Sequence, residues 1–279
     1  MTAAARPAPE LRLESVSHVY QQGEVRALDE VSLIIGPGEF VALVGQNGSG
    51  KTTLVRHLNG LLRPTSGRVL VDGQDAARRT VAQLARDVGL VFQDPDRQIF
   101  AGSVRSEIEF GPRNVGLRGD ELRGAVDGAM AAVGLAEAAR TNPYDLGASR
   151  RKLLALASVL AMRTPVLVLD EPTTGQDVAG VERVRHALRE AREAGRTVIA
   201  ISHDMEFVAT EFARVVAMGG GRILADGTPA EVFAPSGWEL LRSTYLEPPL
   251  AARVGDRLGF GSTPTQSALL EALVGDAAQ

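Results

Sequence analysis

Residues 45–52 have the types and spacing needed to hold the phosphate groups of a nucleotide. The segment fits a glycine, four residues, then Gly-Lys-Ser/Thr, and reads Gly45, Gln46, Asn47, Gly48, Ser49, Gly50, Lys51 and Thr52. Glycines let consecutive backbone amides point into one concavity, and a helix that begins near Lys51 adds its positive end. In this pattern the lysine reaches the β- and γ-phosphates and the Thr52 hydroxyl binds Mg²⁺. We therefore predict that residues 45–52, together with Thr53, bind a nucleotide.

A second candidate is an apolar strand that ends in two carboxylates. Residues 166–169 are Val-Leu-Val-Leu, and Asp170 and Glu171 follow them. Open α/β sheets place ligand chemistry at the C-terminal ends of their strands. Asp170 is therefore predicted to hold Mg²⁺, through water, and Glu171 to orient or deprotonate an attacking water. The alternative is an ordinary buried strand that enters a loop.

The composition indicates a globular chain, and the lack of cysteine fits a reducing compartment. The chain has 279 residues, 44% of them hydrophobic, a net charge of −4 and no cysteine. These values exclude a disordered chain, disulfides and thiolate metal sites. A slightly acidic chain binds the nucleic-acid backbone poorly, so no nucleic-acid partner is predicted. Only two of the 30 basic residues are lysines, Lys51 and Lys152, which singles these two out.

The order of predicted elements indicates an α/β fold that is interrupted and then resumed. The predicted strands are residues 11–16, 31–35, 40–44, 68–71, 88–92, 166–169, 198–201, 214–218 and 223–225. The predicted helices are residues 51–61, 104–110, 120–133, 150–162 and 181–194. This order predicts a flexible N-terminus over residues 1–10 and an α/β domain over residues 11–227, with a helical insert at about residues 100–163. Residues 228–279 form a mainly helical appendix with a break at Pro248 and Pro249.

Residues 1–10 have no apolar run, so we predict no secretory signal. No segment approaches the ~18 apolar residues of a membrane span. If the chain serves a membrane, it is expected to do so from the aqueous side, through a partner.

Together, these motifs resemble those of the ATP-binding cassette (ABC) ATPases and occur in the same order. The resemblance implies a P-loop NTPase, with a RecA-like core, an N-terminal antiparallel β subdomain and an inserted helical subdomain. ATP is the implied nucleotide, with Mg²⁺ as its metal. Tyr20 matches the aromatic residue that stacks on adenine, and the alternative is a tyrosine packed at a hairpin.

Three further positions match the family's functional residues. Gln93 follows a predicted strand, as does the family glutamine that contacts Mg²⁺ or water. Gly175, Gln176 and Asp177 occupy the position of the D-loop. His203 matches the switch histidine that contacts the γ-phosphate, although a histidine after a strand is often a surface or capping residue.

A narrower resemblance is to the ATPases of energy-coupling factor transporters, which include cobalt-importer relatives. Five segments carry this resemblance, residues 92–100, 142–146, 157–162, 246–249 and 269–273, although Arg97 stands where the family commonly has an acid. It implies an importer of vitamins or transition metals, with this chain peripheral at the cytoplasmic face of the membrane. The implied partners are a second ABC ATPase subunit (or a second copy of this chain), a transmembrane coupling protein and a substrate-binding membrane protein. The appendix becomes a possible dimerisation region.

The family's signature, Leu-Ser-Gly-Gly-Gln, is degenerate in this chain. The corresponding residues are Leu146, Gly147, Ala148, Ser149 and Arg150. In the family this motif acts in trans, and its serine hydroxyl and helix amides hold the γ-phosphate bound by the partner. We therefore predict an asymmetric pair, in which this chain supplies a sound ATP site and a weak signature. The alternatives are a homodimer with two weak signatures, or backbone amides that suffice by themselves.

Three rival functions remain at this stage: a non-transport ABC ATPase, a P-loop kinase or GTPase, and a weakly hydrolysing regulatory subunit. Only the degenerate signature favours the last of these, and Glu171 and His203 argue against it.

Overall fold

A computed structural model describes residues 7–20 and 25–277 of the chain. Its ten strands are β1 (Leu11–Val19), β2 (Arg26–Ile35), β3 (Phe40–Val44), β4 (Ser66–Val71), β5 (Gln74–Asp75), β6 (Val88–Val91), β7 (Val166–Asp170), β8 (Thr197–Ile201), β9 (Arg214–Gly219) and β10 (Arg222–Gly227). Its α-helices are α1 (Lys51–Leu58), α2 (Val81–Leu84), α3 (Val104–Val115), α4 (Gly119–Ala132), α5 (Ala148–Leu160), α6 (Val178–Glu193), α7 (Met205–Glu211), α8 (Pro229–Val232), α9 (Trp238–Ser243), α10 (Leu250–Arg257) and α11 (Gln266–Ala277).

Two sheets form the body of the molecule. The first is antiparallel, in the order β2-β1-β4-β5. The second has the order β10-β9-β3-β8-β7-β6; its strands from β9 to β6 are parallel, and only β10 is antiparallel. Because β3 lies between β8 and β9, the loop after β3 opens beside the C-terminal ends of β7 and β8. This is the edge at which open α/β sheets bind ligands.

The central strand β3 is buried on both faces, as expected of a parallel strand covered by helices. Its residues alternate between two apolar clusters. Val41 and Leu43 pack with α1 and the antiparallel sheet. Phe40, Ala42 and Val44 pack with the helical insert and α6. The second sheet therefore lies between the two apolar clusters and contributes residues to both.

The helical insert consists of α3, α4 and α5, which pack on one another. Ser103 begins α3 with a reciprocal capping contact to Ser106. The helix continues through Pro112 to Val115, beyond the predicted end at residue 110, and ends at Gly116, whose φ is +112°. A glycine there relieves the strain of a left-handed backbone. In the structure α5 runs from the insert to the second sheet, since it also contacts β6 and β7.

The structure corrects the N-terminal boundary for the residues that it describes. Ala8 and Pro9 are buried, and the carbonyl oxygen of Glu10 accepts a hydrogen bond from the backbone N–H of Asp72 at 2.8 Å. The expectation of a flexible segment up to residue 10 is therefore wrong for residues 8–10, because they pack beside β4. Residues 1–6 lie outside the described residues.

The first part of the appendix covers the core. Phe233, Leu241 and Leu246 are buried in the cluster that also contains the helical insert. By contrast, Leu270 and Val274 of α11 are exposed. Within residues 7–20 and 25–277, no helix combines the length and the apolar character needed to cross a bilayer.

Candidate functional site

The predicted phosphate loop joins β3 to α1 and is held by its neighbours. The backbone N–H of Gly221 donates to the carbonyl oxygen of Ser49 at 3.2 Å. Two glycines fit where no side chain could. A Cβ on Gly45 (φ +144°) would collide with the Met218 carbonyl, and one on Gly50 (φ +102°) would collide with the Ala27 carbonyl. Gly48, with φ +82°, faces open space. The loop therefore packs tightly against the neighbouring backbone on one side and has open space on the other.

Lys51 lies within this loop and is buried. Its Nζ donates to the carbonyl oxygens of Gly45 (2.6 Å) and Gln46 (2.8 Å). Burial lowers the pKa of Lys51, while the charges of Glu171 and Asp170 act in the opposite direction. A partly desolvated ammonium at this place is suited to an anionic ligand.

Thr52 and Asp170 lie next to each other, although 118 positions separate them in the chain. The Thr52 hydroxyl donates to Oδ2 of Asp170 at 3.1 Å. Burial raises the pKa of Asp170, and the hydrogen bond from Thr52 opposes that rise. A hydroxyl and a carboxylate that converge in this way are hard oxygen donors, which fit Mg²⁺.

Glu171 follows β7 in a left-handed backbone conformation, with φ +54°. Its N–H donates to the carbonyl oxygen of Ile201, at the end of β8, at 3.0 Å. Its two carboxylate oxygens face different partners. Oε1 lies 3.1 Å from Nε2 of His203, and Oε2 accepts a hydrogen bond from the Thr174 hydroxyl at 3.0 Å. Burial raises the pKa of Glu171, and the His203 charge and the Thr174 hydrogen bond oppose the rise.

A cleft of about 220 Å³ brings most of these groups together. Its lining includes Tyr20, Val25, Ala27, residues 47–53, Gln93, Asp170, Glu171, Ile201 and His203. The sequence identified all of these except Val25, Ala27 and Ile201. The site thus combines a phosphate-binding loop, two buried carboxylates and a histidine in one cleft.

Tyr20 lies at the mouth of the cleft and is 38% exposed. Its hydroxyl is 3.0 Å from Oγ1 of Thr53, and its ring meets the edge of His18 at 4.8 Å between centroids. The sequence reasoning missed His18. The signal was the two-residue spacing between His18, near the end of β1, and Tyr20, which follows β1, because residues two apart on an extended backbone point to the same side.

The signature residues lie elsewhere in the structure, at the N-terminus of α5. Gly147 is the N-cap of α5, and a Cβ there would meet no atom within 4 Å. Leu146 is buried, whereas Ala148 and Arg150 are exposed. Of the residues that the structure describes, these five are absent from the lining of the cleft.

The signature and the predicted D-loop contact each other. The Ser149 hydroxyl donates to Oε1 of Gln176 at 2.6 Å, and Nε2 of Gln176 donates to the Ser149 carbonyl at 3.2 Å. Asp177 caps α6 by accepting from the N–H of Gly180 at 2.7 Å. The sequence placed both motifs but predicted no contact between them.

Residues 28–174, just over half of the chain, match the family model described as ABC transporter. The chain belongs to the ABC transporter family. The chain is 42% identical over 246 residues to a putative ABC transporter ATP-binding protein of Methanosarcina acetivorans. The aligned part is 88% of this chain and 40% of that protein, so the chain spans about two fifths of that relative's length.

Two further relatives are similar to the chain over nearly their whole length. The energy-coupling factor transporter ATP-binding protein EcfA1 of Symbiobacterium thermophilum is 43% identical over 271 residues, 94% of this chain and 93% of that protein. The solved structure of cbiO1 from Clostridium perfringens, described as part of the ABC transporter complex cbiONQ, is 35% identical. It superposes with a TM-score of 0.73 and covers 89% of this chain and 98% of that one. The resemblance to the ABC ATPases and to their energy-coupling factor group is confirmed, and the P-loop kinase or GTPase alternative is removed.

Proposed function

We propose that this ABC ATPase hydrolyses ATP with Mg²⁺ and thereby powers a membrane importer of the energy-coupling factor type. One observation carries the hydrolysis part. Oε1 of Glu171, the candidate general base, lies 3.1 Å from Nε2 of His203, and its Oε2 accepts a hydrogen bond from Thr174, in the cleft that also contains the phosphate loop.

The binding roles follow from the positions of the side chains. Tyr20 stacks on adenine at the mouth of the cleft. The amides of residues 46–52 and the positive end of α1 hold the phosphates. Lys51 turns its ammonium from the loop carbonyls to the β- and γ-phosphates. Thr52 and Asp170 hold Mg²⁺, together with Gln93, and the ion offsets the charge that develops on the phosphates.

The chemical roles belong to Glu171 and His203. The carboxylate of Glu171 orients a water in line with the γ-phosphate and accepts its proton. Burial favours this role because the raised pKa of Glu171 makes the carboxylate a better proton acceptor. Nε2 of His203 lies 3.1 Å from that carboxylate and is placed to donate to a γ-phosphate oxygen.

We further propose that the chain works as one half of an asymmetric pair. Gly147 supplies no hydroxyl, and the open space around its Cα would accommodate a serine side chain. Glycine at position 147, in place of the family's serine, therefore removes a contact to the partner's ATP and leaves the fold of this chain unaffected. A second cassette with a complete signature would complete the ATP site of this chain. In a homodimer both sites would carry the weak signature.

The importer part rests on similarity to EcfA1 and to cbiO1. We place the chain at the cytoplasmic face of the membrane, bound to a transmembrane coupling protein and working with a substrate-binding membrane protein. The segment from Gln93 to Phe100, between core and insert, is the proposed docking groove. Phe100 and Phe110 are both exposed there and meet edge to face at 4.7 Å.

The test is an affinity pull-down of this chain from gently solubilised native membranes, followed by mass spectrometry and an ATPase assay. We expect a second cassette with an intact signature, a small multi-span protein, and phosphate release that Glu171→Gln abolishes. The exposed Glu182→Gln on α6 is the matched control.

Recovery of this chain alone would overturn the asymmetric pair. Recovery of ribosomal or DNA-associated proteins would identify a non-transport ABC ATPase and overturn the importer. An active complex that Glu171→Gln leaves unchanged would indicate a regulatory subunit.

A further inference from the structure

Lys152, the second of the chain's two lysines, has no part in the cleft described above. It lies on the first turns of α5, the helix that the signature begins. Its Nζ donates to the carbonyl oxygen of Thr174 at 2.6 Å. Within residues 7–20 and 25–277, Lys152 forms no ion pair with a carboxylate, so this carbonyl is the contact that fixes its ammonium. Charge-assisted hydrogen bonds of this kind are among the stronger ones.

Thr174 is the link between Lys152 and Glu171. Its carbonyl accepts from Lys152, and its hydroxyl donates to Oε2 of Glu171 at 3.0 Å. A donor that holds this carbonyl restrains the backbone of Thr174, from which the hydroxyl extends to Glu171. The carboxylate of Glu171 thus faces His203 with Oε1, and its Oε2 is held by a chain of contacts that ends on α5.

The loop between β7 and α6 depends on such polar contacts. A cavity of about 20 Å³ lies against it, lined by residues that include Gln93, Lys152, Glu171, Pro172 and Gln176. Gly175 at the exposed bend has φ +72°. The packing around this loop is therefore incomplete, and hydrogen bonds to α5 decide where it lies. The pair of contacts between Ser149 and Gln176 joins the same loop to the same helix.

We propose that Lys152 is a positioning residue that sets the direction of the Glu171 carboxylate through Thr174. The contact ties the chemistry in this chain's ATP site to the position of α5, whose N-terminus carries the signature. A movement of α5 when the pair of cassettes closes is thereby transmitted to Glu171. This inference rests on the proposed function, because it needs hydrolysis at Glu171.

The test compares the wild type with Lys152→Met, Thr174→Val and the double variant, using ATP hydrolysis by the purified complex. Methionine keeps the apolar stem and removes the donor, whereas valine keeps the shape and the carbonyl but loses the hydroxyl. We expect each single change to lower kcat about tenfold, because a small misplacement of a catalytic group costs up to about a hundredfold. ATP affinity should stay within about twofold, since neither residue touches the phosphate loop.

The double variant decides whether Lys152 acts through Thr174. Residues that act through one another are not additive, so we expect the double variant to be no slower than Thr174→Val alone. Lys152→Arg keeps a donor of similar length and should restore most of the rate. Two losses that multiply in the double variant would overturn the inference, as would an ATP affinity that falls together with kcat.

Amide hydrogen exchange on the isolated chain supplies a readout that needs no partner. Lys152→Met should speed exchange in peptides that cover residues 171–177 and leave residues 45–58 unchanged. Arg123→Met, on the exposed face of α4, is the matched control and should change neither segment. Unchanged exchange at residues 171–177 would overturn the inference. If the wild-type complex hydrolyses no ATP, the proposed function itself fails; if it does and Lys152→Met equals it, only the inference fails.

Discussion

The phosphate loop and the signature differ in how firmly the chain itself fixes them. The phosphate loop is enclosed by β2, β9 and the turn before β10, and two of its glycines have carbonyl groups where a side chain would be. Its Lys51 is buried and bound to two loop carbonyls. In the signature, Gly147 has open space around it and Arg150 is exposed. Leu146 is buried in the core, and the polar side-chain contact of the motif is the one between Ser149 and Gln176.

This contrast predicts that the two motifs differ in how well they tolerate substitution. A substitution in the enclosed loop displaces neighbouring backbone, and tightly packed regions tolerate this poorly. A substitution in an exposed segment meets only what lies outside the chain, and loops of this kind vary more freely. Substitutions in the predicted signature are therefore expected to cost this chain little stability and to act in the proposed pair.

The largest effect should come from the cleft that contains the phosphate loop. Glu171→Gln removes the proton acceptor and keeps the shape, so phosphate release should fall about 10²- to 10⁴-fold. ATP affinity should be retained, because the carboxylate does not bind the phosphates. Phosphate release and equilibrium ATP binding measure the two quantities. A loss of affinity as large as the loss of rate would contradict the role of general base.

Lys51→Met should weaken ATP binding about 10- to 100-fold, the size of a hydrogen bond to a charged group. Burial already disfavours the Lys51 ammonium, as its lowered pKa indicates. The melting temperature of the nucleotide-free protein should therefore hold or rise. Calorimetric ATP titration and thermal unfolding test both points.

Arg150→Met, in the exposed signature, should leave ATP binding to the isolated chain unchanged. A loss of ATP affinity as large as that of Lys51→Met would contradict the contrast between the phosphate loop and the signature.

Restoring the signature should give a smaller gain. Gly147→Ser adds one hydroxyl at an unobstructed position, worth a few-fold in the hydrolysis rate of the assembled pair. Ser149→Gly in addition restores the family sequence but gives up the contact with Gln176. We therefore expect Gly147→Ser alone to gain more than the double change. Steady-state phosphate release measures the gain, and no gain in either variant would show that backbone amides suffice.

Tyr20 should contribute modestly to affinity. Tyr20→Ala should weaken ATP binding about 2- to 10-fold, as expected when one aromatic contact is lost. Tyr20→Phe keeps the ring and its edge contact with His18, and should stay within about twofold of the wild type. Equal losses in both variants would assign the effect to the hydroxyl contact with Thr53 in place of stacking.

The smallest effect concerns the free energy of unfolding and its dependence on pH, through the helix α1 that follows the phosphate loop. His57 of α1 is buried, its Nδ1 lies 2.7 Å from the Thr53 carbonyl, and burial lowers its pKa from the ordinary 6.5. Above pH 6.5 the imidazole is neutral in both states. Below that pH the unfolded chain takes up a proton first, so the free energy of unfolding falls. The melting temperature should drop between about pH 7 and pH 5, and should drop less in His57→Phe. The exposed His186→Gln is the control, and equal slopes in His57→Phe and the wild type would contradict the prediction.

Local patterns predicted the individual elements well but missed some of their ends. The predicted helix over residues 51–61 ends at Leu58, because Gly60 adopts a φ of +75° shortly afterwards. The predicted helix over residues 104–110 continues through Pro112 to Val115, where the left-handed Gly116 caps it. Trp238 and Leu240 pack against the core, and Phe233 and Leu241 lie within it, whereas the resemblance to energy-coupling factor ATPases made the appendix a possible dimerisation region. The sequence pattern of apolar residues in such a segment is the same whether they cover the core of their own chain or contact a partner.

The sequence by itself determined the phosphate loop, the acidic end of β7 and the place of the signature, because each depends on residues that are neighbours in the chain. The tertiary structure decided which of these pieces meet. Thr52 reaches Asp170 across 118 positions, and Lys152 reaches Thr174 across 22. Such contacts depend on the order of strands in the second sheet, which places β3 between β8 and β9. No local pattern encodes that order, because it follows from burying both faces of the sheet at once.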